Sequence, residues 1–127
     1  MLIRTHQKID NAYCGAPVEL QDGYSKVALT TMEEMAVDEM GLVHGGFIFG
    51  LADYAAMIAV NHPHVVLGAA DVKFTKPVRV GDTVTAVARL EKNEGKKQSV
   101  SVTVSRASET VFTGNFICFI LEKHVLG

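Results

Sequence analysis

Apolar and polar residues alternate strictly through Ser99, Val100, Ser101, Val102, Thr103, Val104 and Ser105, the two-residue period of a strand with one buried and one wet face. Residues 83–90, Thr-Val-Thr-Ala-Val-Ala-Arg-Leu, read as a second strand just upstream. The polar stretch Asn93, Glu94, Gly95 and Lys96 joins the two into a predicted hairpin. Residues 110–121 predict another strand, nearly continuous in apolar residues and so expected to be covered on both faces. A fourth runs over 65–75 and closes at Lys76 and Pro77, because proline lacks the N–H that a ladder needs. Nearer the start, the Asp22-Gly23 turn divides the stretch 18–30 and leads into a strand over 24–30. Residues 31–41 show no period beyond a short helical turn around Met32, Glu33, Glu34 and Met35.

Between these strands the pattern changes. Residues 46–60, Gly-Phe-Ile-Phe-Gly-Leu-Ala-Asp-Tyr-Ala-Ala-Met-Ile-Ala-Val, predict a helix that reaches about Asn61 and is stopped by Pro63. It is apolar on every side, so it belongs in the middle of the fold. One buried helix and about five mostly antiparallel strands give an α+β domain in which a curved sheet wraps the helix. So small a sheet leaves one flank of the helix bare, and the pattern therefore calls for at least a dimer.

Composition narrows this little further. With 127 residues, 48% apolar and 20% charged, the chain reads as a single globular domain over 1–127. A net charge of −2 gives no electrostatic reason to expect nucleic acid. Cys14 and Cys118 have neither metal-ligand spacing nor a disulfide framework, and Cys118 reads as a small core hydrophobe. The first residues lack the apolar centre of a secretory signal, and the helix is too short to span a bilayer, so the expected location is cytoplasmic.

Asp53 is the one charge in the apolar helix. No lysine or arginine occurs between Lys26 and Lys73, so no i,i+4 partner exists for it. Desolvation of such a carboxylate raises its pKa and makes it a stronger base than an exposed one. The bland alternative is a carboxylate satisfied by backbone groups or by solvent. Just upstream stand His44, Gly45 and Gly46, where a helix N-terminus can present bare N–H groups to an oxyanion. His44 reads either as a base or ligand or, more simply, as a residue that hydrogen-bonds the backbone at the helix entry. Asp38 reads as a solvated loop residue or as a second carboxylate facing Asp53 and sharing a proton with it. His62-Pro63-His64 has metal-like spacing but no further ligand beside it, and no metal is expected. Lys73, Lys76 and Arg79 form the one compact basic patch without an acid, suited to phosphates or to a wet strand end.

The run Asp38-Glu39-Met40-Gly41-Leu42-Val43-His44-Gly45-Gly46, followed by Leu51-Ala52-Asp53, resembles the hotdog-fold acyl-CoA thioesterases of the phenylacetate-pathway (PaaI-like) type. Ala70 to Pro77 and Val80-Gly81-Asp82-Thr83 look like the strand and turn that follow the helix in that family. The resemblance implies a hotdog fold, a long central helix wrapped by five or six strands. It also implies a homodimer or homotetramer with sites at the dimer interface, and a coenzyme A thioester as substrate with no cofactor. Asp53 matches the catalytic carboxylate, base or nucleophile. The turn of His44, Gly45 and Gly46 matches the donors that polarise the carbonyl, and Asp38 takes the place of an asparagine. Lys73, Lys76 and Arg79 fall where relatives contact coenzyme A phosphates. The alternative is a non-catalytic acyl-CoA-binding module, since hotdog domains also serve as ligand sensors in lipid regulators.

Overall fold

In the computed structural model, which describes residues 1–127, six strands make one antiparallel sheet in the order β1-β2-β4-β5-β6-β3. A single helical turn, α1 (Asn11–Cys14), precedes β1 (Ala16–Gln21) and β2 (Tyr24–Thr30), and the central helix α2 spans Gly45–Val60. Then come β3 (Val65–Phe74), β4 (Thr83–Glu94), β5 (Lys97–Arg106) and β6 (Glu109–Ile120). The expected hotdog architecture is the one found. Gly23 (φ 72°) and Gly95 (φ 73°) turn the β1–β2 and β4–β5 hairpins, each in a left-handed conformation that a side chain resists.

Alternation sorts the residues as the sequence pattern requires. Val100, Val102 and Val104 of β5 are buried on the concave side, with Val84, Ala86 and Ala88 of β4 and Val27 and Leu29 of β2. α2 lies against this surface and buries Leu51, Ala52, Ala55, Ala56, Met57, Ile58 and Ala59. The Ser25 hydroxyl, wholly buried on β2, donates to the Ala55 carbonyl at 2.6 Å and ties the helix to the sheet.

β6 departs from expectation. Phe112, Phe116 and Cys118 are buried inward, but the outward row of Thr113, Asn115, Ile117 and Phe119 is only partly covered. Its apolar length has a different cause. The Phe119 ring lies over Gly68, where a Cβ would come within 2.3 Å of it, beside a bulge in β3 between Leu67 and Ala69. That contact covers Phe119 alone, and the rest of the outward row stays partly open.

Helix α2 ends before Pro63 is reached. Asn61 adopts the left-handed conformation (φ 54°), and its N–H caps Met57 O at 2.8 Å. Its side chain then accepts from Arg4 N at 2.7 Å and donates to Leu2 O at 2.8 Å, clamping the N-terminal strap across the helix end. No helix is long and apolar enough to cross a membrane.

Candidate active site

The helix begins at Gly45, one residue earlier than the apolar run suggests, because His44 is its N-cap. His44 N donates to Met35 O at 2.9 Å, and its ring Nδ1 accepts the Gly46 N–H at 2.7 Å. A neutral ring that accepts through Nδ1 carries its proton on Nε2. Phe47 N reaches back to His44 O at 3.1 Å. The Gly45 N–H is left without a protein partner at the positive end of a sixteen-residue helix. Of the two glycine amides, then, Gly45 is free and Gly46 is engaged by the cap.

Gly45 lines a cleft of about 310 Å³ with Leu42, Val43, Ile48, Phe74 and Val78. A broader groove of about 540 Å³ adjoins it through Leu42, Pro77 and Val78, and holds Asp38, Arg79, Asp82 and Arg106. The basic patch is thereby divided. Lys76 borders the cleft and Arg79 the groove, whereas Lys73 lines a separate depression with Asp71, Ser101, Thr103 and Thr113. Arg106 takes the place beside Arg79. It donates to Pro77 O at 2.8 Å and pairs with Asp82 at 3.1 Å and with Glu109. Reading from sequence missed Arg106, although a signal existed: it continues the inward parity of Val100, Val102 and Val104 as a lone charge.

Asp53 lies two turns into α2, on the flank where Phe49 and Gly50 are also only half-buried. Its Oδ1 is shielded from solvent and makes no hydrogen bond. Burial alone lifts the Asp53 carboxyl from 3.8 to about 6. Two thiols feel the same charge: Cys118 is pushed up to about 12 by burial and then by Asp53, and Cys14 is raised by burial, then Asp10 and Asp53. Eight residues separate Gly45 from Asp53, roughly 12 Å of helix at about 1.5 Å per residue.

No hydrogen bond joins Asp38 to Asp53 within one chain. It is an exposed loop residue whose Oδ1 accepts from Met40 N at 3.0 Å and Leu42 N at 3.2 Å, shaping the approach to His44. His62 and His64 close the helix-ending loop, His62 Nδ1 accepting from His64 N at 3.0 Å. No group of three His, Cys, Asp or Glu side chains is arranged to hold a metal ion.

An antiparallel sheet wrapped around one long helix is the hotdog architecture, and here the helix carries a desolvated carboxylate and a free N-terminal amide. Residues 40–113 match the family model of the thioesterase superfamily, and the chain belongs to that superfamily. An uncharacterised protein of Pyrococcus horikoshii has a crystal structure that superposes with a TM-score of 0.99 at 54% identity, covering 100% of this chain and 98% of that one. A protein of Aquifex aeolicus named methylthioribose-1-phosphate isomerase is 50% identical over 121 residues, 95% of this chain but 26% of its own length. Transcription factor FapR of Caldanaerobacter subterraneus is 29% identical over 113 residues, 88% of this chain and 56% of that protein. Acyl-coenzyme A thioesterase PaaI of Escherichia coli is 32% identical over 85 residues, 65% of this chain and 59% of that protein. This chain thus spans only about a quarter to three-fifths of these three relatives.

Proposed function

We propose that the protein is an acyl-CoA thioesterase of the PaaI-like type, hydrolysing a coenzyme A thioester to the free acid and coenzyme A. The observation that carries this reading is the unpartnered, shielded Oδ1 of Asp53. Leaving a buried acceptor unsatisfied costs about 1–3 kcal/mol, and such groups concentrate where chemistry uses them. In this scheme the thioester carbonyl oxygen accepts the Gly45 N–H, and the helix end stabilises the negative charge that develops there. Asp53 takes a proton from water as it adds to the carbonyl carbon, or adds to that carbon itself and forms an anhydride that water then hydrolyses to the free acid. The C–S bond breaks, and the leaving thiolate takes up the proton that water gives up, leaving as coenzyme A.

Because roughly 12 Å of helix lies between the two groups, this scheme takes the Gly45 amide from one subunit and the Asp53 carboxylate from its partner, as the family resemblance implies. β3 has a strand on one side only and offers its other edge to a second copy. In this scheme Lys76 beside the cleft and Arg79 in the groove, with Arg106 next to it, meet coenzyme A phosphates.

A second reading, a non-catalytic acyl-CoA-binding module, is favoured by the likeness to FapR over most of the chain. Thiol release from a panel of acyl-CoA thioesters separates the two. Turnover that disappears in Asp53→Asn supports the hydrolase, and tight binding with no turnover on any substrate supports the module.

A further inference from the structure

Phe74 ends β3 on the concave side, yet it is 54% exposed. Its ring is not idle there. A Cβ built on Gly45 would stand 3.1 Å from Cε1 and 3.6 Å from Cδ1 and Cζ of the ring. The ring therefore rests on the bare backbone of the residue that carries the free amide, and both border the same apolar cleft. Behind it, Phe112 is fully buried and meets the ring edge-on at 5.1 Å between centroids. Phe112 is held in turn by Phe116 at 6.4 Å, and Phe116 by Phe49 at 5.5 Å. This packed row gives Phe74 a firm backing on one side while its other side faces the cleft.

We infer that Phe74 is a specificity-determining residue, its ring setting the width of the cleft beside the Gly45 amide so that acyl chains unbranched next to the thioester carbonyl are admitted and branched ones excluded. The inference rests on the thioester reading above. A carbonyl that accepts the Gly45 N–H places its neighbouring carbon along the wall that Gly45 shares with the ring. A methyl branch there must displace a ring that Phe112 backs. Apolar walls discriminate single methyl or methylene groups by roughly 10–200-fold.

The test compares hexanoyl-CoA with 2-methylhexanoyl-CoA on the wild-type protein, Phe74→Ala and Phe74→Leu, measuring kcat and KM separately. Dissociation constants for the same pair are measured by calorimetry in the Asp53→Asn background. The wild type should favour the straight chain by about 10-fold or more in kcat/KM. Phe74→Ala should erase most of that preference, mainly by lowering KM for the branched substrate. Phe74→Leu should fall between, and it carries the test if the alanine variant does not fold. An unchanged preference in both variants, or none in the wild type, overturns the inference. Absence of turnover in every protein defeats the hydrolase reading alone, because the ratio of dissociation constants still reports the wall. If neither ligand binds, the proposed role of Phe74 falls as well.

Discussion

The Nδ1 of His44 accepts the N–H of Gly46 at 2.7 Å, so the histidine that heads the motif caps the helix it introduces. A capping role and a base role make opposite predictions. Asparagine is as good an N-cap as any residue, so His44→Asn should keep turnover within about 3-fold, whereas His44→Ala should lose about 1 kcal/mol of stability. Thiol-release assays and denaturant titrations read the two quantities. A loss of several hundred-fold in the asparagine variant would mean that the ring itself takes part in the reaction.

Asp53→Asn should lower kcat by roughly 10²–10⁴-fold, the range for loss of a positioned acid–base group, while leaving the fold intact. It should also stabilise the protein at neutral pH. A carboxyl lifted from 3.8 to about 6 on folding holds its proton more tightly in the native state. Its burial is therefore harmless below about pH 4, stability falls as pH rises towards 6, and the full penalty persists above. At 1.36 kcal/mol per pH unit the penalty is roughly 3 kcal/mol. Denaturant unfolding of both proteins from pH 4 to 8, at equal concentration, should show a steeper decline in the wild type. Parallel curves would remove the desolvation argument.

The same carboxyl sets the acid limb of activity. With Asp53 as base, kcat/KM should rise with unit slope on a logarithmic plot and level off above about pH 6. A profile flat down to pH 4.5 would deny Asp53 that role.

Much of this was legible in the sequence because the relevant signals are periodic. The strict alternation over 99–105 located β5, and the unbroken apolar run located α2 and left Asp53 as its one charge. What the residues could not reveal were relationships between distant segments. Phe74 looks like any other apolar strand residue until its ring is seen against Gly45. Lys73, Lys76 and Arg79 look like one patch, but β3 ends at Phe74, so Lys73 stays on the strand while Lys76 and Arg79 lie in the loop beyond it, and the three go to three places. The apolar length of β6 suggested a covering layer, since a ring folded over Gly68 across a bulge leaves no pattern in one strand. Asp38 was weighed as a partner for Asp53, although its spacing to Met40 and Leu42 already suited the turn it makes.

Asp38→Asn should therefore leave the approach loop in place, because an amide oxygen can accept the same two N–H bonds. Turnover should be retained or raised, and Asp38→Ala should lose about 1 kcal/mol of stability. A collapse of kcat in the asparagine variant would make Asp38 the base after all.

The Arg79 side chain makes no hydrogen bond or ion pair within the chain, unlike that of Arg106. Arg79→Gln should raise KM for an acyl-CoA about 5- to 10-fold with kcat little changed, and should flatten the dependence of KM on salt. Equal KM values across 0.05–0.5 M salt in both proteins, as an approximate working range, would take the phosphates away from this groove.

The sheet order carries one more consequence, for how the chain comes to be folded. β3 leaves the central helix but hydrogen-bonds only to β6, with β4 and β5 lying between them in sequence. As the chain is synthesised, α2 is complete when only the β1–β2 hairpin exists to receive it. Four of the six strands are still to come. Closing the β3–β6 pair is thus a long-range event, of the kind that slows folding, and until β4 and β5 follow, a helix without a polar face has little more than β2 to pack on. Neighbouring nascent chains can seize that surface. The helix that carries Asp53 is the part of the molecule that most needs β4 and β5 to follow it quickly.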